Sequence, residues 1–286
     1  MMADNWRIIA RDRCDLLGEG PMWSDRDNAV YWVDILGQRV NRLCLASDQV
    51  ASWLMPEMIG WVIERAQVEG FIAGFASGFA ALILDPLRIA PIADPQPGHP
   101  ANRMNDAKAD SKGRIFAGTK AEDGQASGAL FRLDPDLRVA EVDSGYAIAN
   151  GPAISPDGAL MYHTDSALNR IFRLPIAEDG TLGPRELFLE FPPEWGSPDG
   201  MTIDAEGGLW VAHWGGARVS RFWPDGSLDR AIALPASQIT SCTFAGPDLD
   251  RMFVTSAADG VDEEWAGQLF EVDPGVKGLP TLRFGG

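Results

Sequence analysis

The sequence predicts an all-β fold, a six-bladed β-propeller with a central channel, formed as one domain over residues 1–286. Three observations predict it. Short apolar runs bounded by turn residues recur at a spacing near 45 residues. Several of these runs alternate apolar and polar side chains, the period of a strand with one buried face. Gly (31) and Pro (20) make up about 18% of the 286 residues, against a usual ~12%. They are scattered singly, so turns are frequent and long helices are disfavoured.

In chain order, the first unit has runs at 20–25 and 29–34. The second and weakest starts near Gly60 and continues through Gly74. The third has runs at 107–110 and 114–118, and the fourth at 152–155 and 159–163. The fifth has runs at 201–204 and 209–212, and the sixth at 240–244 and 251–255. Taking Glu19, Gly60, Asn105, Asn150, Asp199 and Thr240 as phase markers gives steps of 41, 45, 45, 49 and 41 residues. Alternating third strands follow at 39–43, 128–133, 169–174, 218–222 and 268–272. Six repeats of this length fit propeller blades, whose radial closure leaves only short edges, whereas a long open sheet would expose them. A sandwich pair does not account for the repeat, and a β-helix has a shorter one. The stretch Arg7-Ile8-Ile9-Ala10 is expected to complete the last blade as its outer strand.

Charge narrows the partners. The formal net charge is −17, from 24 Lys and Arg against 41 Asp and Glu. Such a surface repels phosphate backbones and anionic membranes, so neither nucleic acid nor membrane is an expected partner. A bound cation suits it better. Cys14, Cys44 and Cys242 are far apart and form no CxxC, which points to a reducing compartment. The first seven residues lack the apolar core of a leader, and the apolar run 71–84 is too short to span a bilayer. The expectation is a cytoplasmic monomer.

The phase markers suggest a site. The first strand of each blade lines the channel, so residues at one phase of different blades converge near the axis. Glu19, Asn105-Asp106, Asn150 and Asp199 share that phase, just before the first strands. Together they make an all-oxygen cage of the kind hard divalent cations prefer. Two carboxylates about 5 Å apart repel by roughly 3 kcal/mol at an effective dielectric near 20, and a cation between them reverses the sign. The competing reading is that Glu-Gly, Asn-Gly and Asp-Gly are simple turn dipeptides. Pro-Asp-Gly occurs at 156–158, 198–200 and 224–226. Asp157 and Asp225 are assigned to turns, while Asp199 keeps the offset of Glu19 and Asn150.

The segments 17–23, 102–106, 116–119, 150–151, 198–212, 240–244 and 254–257, in this order and spacing, resemble the regucalcin / senescence marker protein / gluconolactonase family of six-bladed propellers over nearly the whole chain. The resemblance implies a hydrolase that opens a sugar lactone, such as glucono-, xylono- or arabinonolactone, to the aldonic acid. It implies one divalent metal ion (Ca, Zn, Mn, Mg or Fe) on Glu19, Asn150 and Asp199, and substrate contacts from Arg103 and Asn105. A further acidic contact is expected after the 116–119 segment. The count from Arg103 lands on Asp123, where the family has Glu, and Glu122 is adjacent, so both are candidates.

In such a site the metal polarises the carbonyl or activates water, and Asp199 is the expected general base. Two alternatives stay open: a non-catalytic Ca-binding or regulatory propeller, and a phosphotriesterase or aryl-ester lactonase on the same scaffold. No Gly-x-Ser-x-Gly elbow occurs, which disfavours a serine nucleophile. His163 and His213 close strands and read as structural. His99 lies in a Pro-rich loop, 95–100, that could cover the channel, and Trp195 and Trp214 could stack on a sugar ring.

Overall fold

The six repeats build six antiparallel sheets of four strands in the computed structural model, which describes residues 6–286. Residues 1–5, part of the stretch in which no leader is expected, lie outside the described residues. The innermost strands are Gly18–Ser24, Ile59–Glu64, Asn102–Ala109, Ala149–Ile154, Ser197–Ile203 and Ile239–Ala245, one per blade in chain order. Each neighbours the innermost strands of the adjoining blades. The last blade is completed by Trp6–Ile8, which pairs antiparallel with Phe270–Val272 as expected.

The core is divided among the blade interfaces, and there are six clusters for six interfaces. Tyr31 and Val33 face blade 2, whereas Trp32 between them faces blade 6. Phe116 packs toward blade 4, and its neighbours Ile115 and Ala117 pack toward blade 2. Trp210 joins the cluster shared with blade 6, Val211 that shared with blade 4. Alternate residues therefore serve opposite neighbours. This is why second strands such as Ala29–Asp34 are buried at every position and read as continuous apolar runs. The cluster joining Ile9, Trp23, Trp32, Phe253 and Leu269 closes the ring between the last blade and the first.

All six innermost strands break register at the same height. The shifts fall at Glu19/Met22, Ile59/Trp61, Met104/Ala107, Asn150/Ala153, Pro198/Met201 and Ile239/Ser241. Such bulges re-aim side chains. Gly20 and Gly151 supply positive φ (52° and 72°) directly after Glu19 and Asn150. The phase markers thus lie inside the innermost strands, not before them, and the Glu-Gly and Asn-Gly pairs are bulges in place of loop turns.

The opposite end of the channel is closed by the C-terminal segment. Gly278 bridges Asp204, and its N–H donates to Leu249 O (2.7 Å). Farther on, Phe284 exchanges backbone bonds with Glu64 and Ala66, and Gly285 N donates to Gly113 O (2.9 Å). The segment crosses from blades 5 and 6 to blades 2 and 3. Leu279 to Leu282 form the floor of a chamber of about 110 Å³. Among the described residues, no helix is long and apolar enough to cross a membrane.

Candidate functional site

The bulges bring Glu19, Asn150 and Asp199 into one buried polar group at the end of the channel opposite that floor. Each is about 5% exposed. Burial, then the charge of Asp199, then that of Asp106, push the Glu19 carboxyl well above its ordinary range. Burial and then Asp106 do the same to Asp199. Asp106 itself is pushed up to about 7, chiefly by burial. Glu19 thus feels both aspartates and Asp199 feels Asp106 as like charges, which disfavours full ionisation of the group.

A continuous run of hydrogen bonds positions the amide. Arg103 Nη1 donates to Asn105 Oδ1 (2.7 Å), and Asn105 Nδ2 donates to Asn150 Oδ1 (2.7 Å). Asn150 Nδ2 donates to Ser166 Oγ (3.0 Å), and Ser166 Oγ donates to Pro198 O (2.7 Å), one residue before Asp199. The run crosses blades 3, 4 and 5 and fixes the rotamer of Asn150 with its oxygen still able to accept a second contact. On the far side, Thr240 Oγ1 donates to Gly18 O (2.5 Å), next to Glu19. Gly60 completes the ring. A Cβ there would come within 2.8 Å of the backbone at Asn105 and Met104, so this phase position tolerates no side chain.

The donors fit a hard cation. Asp199 Oδ1 is buried and has no hydrogen-bond partner among the described residues. Among the described residues, Glu19 Oε2 accepts only from the N–H of Gly20, at 3.0 Å. Among the described residues, no three His, Cys, Asp or Glu side chains gather closely enough to make a metal site by themselves. The third oxygen would have to come from the Asn150 amide. Two carboxylates and an amide are oxygen donors suited to Ca²⁺, Mg²⁺ or Mn²⁺, and three protein ligands leave positions for water and substrate.

The remaining candidates divide. Glu122 Oε1 accepts from Arg103 Nε at 2.6 Å, whereas Asp123 Oδ1 accepts from Gln125 N at 3.0 Å and shapes an exposed turn. The structure brings Glu122, and not Asp123, onto Arg103. His99 lies exposed on the loop beside Arg103, at a cavity of about 150 Å³. Gln96 pins that loop by accepting from Asn102 Nδ2 (2.9 Å) and Thr119 Oγ1 (2.7 Å). His163 and His213 are fully buried. Trp195 packs edge-on to Phe191 (5.3 Å) and under Arg218 (5.0 Å), so its ring is committed to blades 4 and 5. Ser166 is not marked by the repeat because it opens the short 3-10 turn Ser166–Leu168 that follows the second strand of its blade, out of phase with the markers.

Comparison with known proteins bears on the chain as a whole. A family model described as SMP-30/Gluconolactonase/LRE-like region matches residues 17–258. Regucalcin of Xenopus laevis is 34% identical over 285 residues, covering 94% of this chain and 95% of its own. An L-arabinolactonase of Azospirillum brasilense is 34% identical over 288 residues, covering 97% and 95%. A solved structure described as a calcium-binding protein, regucalcin, from Agrobacterium tumefaciens superposes with a TM-score of 0.91 at 27% identity, covering 97% of this chain and 96% of that one.

Proposed function

Because the chain belongs to the SMP-30/gluconolactonase/LRE-like family, we propose that it is a sugar lactonase, opening an aldonolactone to its aldonic acid with one divalent cation held by Glu19, Asn150 and Asp199. The observation that carries the reading is the unpartnered, buried Asp199 Oδ1, on a carboxyl for which the like charge of Asp106 is the largest charge felt, ahead of the cations Lys120 and Arg103. Without a ligand from outside the chain, that arrangement is a cost. When bound, the cation supplies a Lewis acid for the lactone carbonyl and lowers the pKa of a coordinated water.

The chain's own residues do the rest. Asp199 accepts the proton of the attacking water. Arg103 and Asn105, already bonded to each other and to Asn150, hold the lactone's hydroxyls or ring oxygen against the triad. Glu122 fixes the Arg103 guanidinium through a charge-assisted bond, and is the acidic substrate contact in preference to Asp123.

The test is acid release from a panel of pentono- and hexonolactones, with and without a chelator, on the parent protein and Asp199→Asn. Loss of turnover on chelation, with recovery on adding back Ca²⁺, Mn²⁺ or Zn²⁺, supports the reading. Turnover that survives both chelation and the substitution overturns it. A calcium-binding propeller without turnover is the second reading, favoured by the structural likeness to the A. tumefaciens protein described as calcium-binding. It predicts cation binding with no hydrolysis of any lactone on the panel.

A further inference from the structure

The mouth carries a cation that neither the repeat nor the triad requires. Lys120 is one of only four lysines in a chain of net charge −17. It lies in strand Ile115–Ala121, directly opposite Arg103 in the antiparallel register, so both side chains leave the same face of one sheet. Like charges in that relation destabilise a strand pair. Rule-breaking of this kind collects at functional sites.

The offsetting carboxylate is not enough for both cations. Glu122 Oε1 accepts from Arg103 Nε at 2.6 Å and lies 3.7 Å from Lys120 Nζ, beyond hydrogen-bond reach. An ammonium has three donors. Those of Lys120 make no hydrogen bond among the described residues, and its side chain is 28% exposed. At this spot two cations share one carboxylate; Arg103 is buried and Lys120 is the one that reaches solvent, while Asp199 deeper in the channel feels both charges. The backbone of Lys120 bridges Ile148, two residues before Asn150, which sets it at the junction between Arg103's blade and the strand that carries the triad's amide. Its charge reaches Asp199, where it opposes the effect of burial.

We propose that Lys120 is a further substrate-binding residue, and that with Arg103 it clamps a second anionic group carried on the arm of the lactone remote from the reacting carbonyl. The inference rests on the lactonase reading for what the arm belongs to. It rests on charge balance for the anion, since a hydroxyl would leave the excess charge of the pair uncompensated. The remoteness follows from the hydrogen-bond run, in which Asn105 stands between Arg103 and Asn150.

Calorimetric titration of the metal-loaded protein tests it with three ligands of equal carbon number: an aldonate, the corresponding aldarate with its second carboxylate, and an aldonate phosphorylated at the far carbon. The parent protein is expected to bind one or both doubly anionic ligands about tenfold tighter than the plain aldonate, the worth of one partly screened ion pair. Whichever of the two shows the preference identifies the anion as carboxylate or phosphate. Lys120→Met is expected to abolish the preference, read as the ratio of doubly anionic to plain aldonate affinity, and Lys120→Arg to keep most of it. The preference is also expected to shrink as salt rises from about 20 to about 300 mM.

Equal affinities in the parent protein, an equal loss for all ligands in Lys120→Met, or no binding of any of them overturns the assignment. Hydrolysis of a neutral lactone on the same preparations separates the two readings. Turnover without the anion preference removes Lys120 and leaves the lactonase standing. The preference without any turnover removes the lactonase and leaves the clamp.

Discussion

Two buried aspartates in blade 5 show opposite uses of a carboxylate. Asp204 is saturated. Its Oδ2 accepts from Arg221 Nε (2.6 Å) and Trp210 Nε1 (2.8 Å). Its Oδ1 accepts from the backbone N–H groups of Gly208 (2.9 Å) and Glu206 (3.0 Å) and from Arg221 Nη2 (3.2 Å). Asp199, on the innermost strand of the same blade, has an oxygen with no partner and feels Asp106 as a like charge. A carboxylate with every lone pair used holds the blade together. One kept unpaired beside other carboxylates is held there by the fold against its own preference, and only something outside the chain can satisfy it.

The largest effect should come from exchanging the charge at each position. Asp199→Asn is expected to lower kcat/KM for the best sugar lactone by about 10³-fold, within the range for loss of a general base. The unfolding free energy of the chelated protein should hold or rise, because a repulsive charge is gone. Asp204→Asn is expected to cost about 3 kcal/mol in urea unfolding, since it strips a fully buried Arg221 of its closest counter-charge. Its remaining folded fraction should turn over normally. If both variants destabilise alike, the distinction between the two aspartates collapses.

Cation linkage is the next lever. Adding Ca²⁺ or Mn²⁺ to chelated protein at about a hundred times its dissociation constant should stabilise it by about 2.7 kcal/mol. Asp199→Asn should lose most of that gain, read as a Tm shift, whereas Glu122→Gln should keep it. A cation effect that survives Asp199→Asn would place the ion elsewhere.

Smaller still is Ser166→Ala, which cuts the run between Asn150 and Pro198. Residues that orient a metal ligand change metal affinity by about 10- to 100-fold, and the lower end is expected here because Asn105 still holds Asn150. An unchanged cation titration would show that Asn150 needs no second anchor.

These residues also mark how far the sequence could be read. The third strands of five blades and the spacing of Glu19, Asn105, Asn150 and Asp199 were legible because the blades repeat one geometry, so equal phase means equal height on the axis; that of the second blade, Gly78–Leu84, was hidden in the continuous apolar run 71–84. Fourth strands such as Gln49–Leu54 and Leu228–Ala233 were not, since they are half-exposed outer edges whose composition resembles loops. The floor-forming tail was equally silent. It is held largely by backbone bonds at Asp204, Glu64 and Gly113, with Phe284 buried and Arg283 paired to Glu64, and so few side chains make no periodic pattern. Ser166, in the turn after a second strand, and Lys120, on a second strand, lie at positions whose phase the innermost-strand markers do not track. The choice between Glu122 and Asp123 needed the observed contact with Arg103, because adjacent acids in a turn are indistinguishable by count.

His163 asks whether an unpaired buried atom is by itself enough to make a site. Both its ring nitrogens lack partners among the described residues, and the ring meets Tyr146 edge-on at 4.7 Å. Burial, and then the charge of Arg185, push its pKa from 6.5 down to about 3. The folded protein therefore keeps the ring neutral while the unfolded chain takes up a proton. The stability associated with this group is complete above about pH 6.5 and falls as pH drops toward 3, by about 1.4 kcal/mol per unit at its steepest. His163→Phe should leave kcat/KM and cation affinity unchanged. It should also lessen the loss of stability between pH 7 and pH 5 by about 2 kcal/mol, measured by urea unfolding at each pH. Any cost of fitting the larger ring is the same at both pH values and cancels in that difference. If the variant instead lost cation binding, an orphaned atom anywhere in this core would count as functional. If only the acid slope changes, then what sets Asp199 apart is the convergence of charged oxygens around it and not the missing hydrogen bond alone.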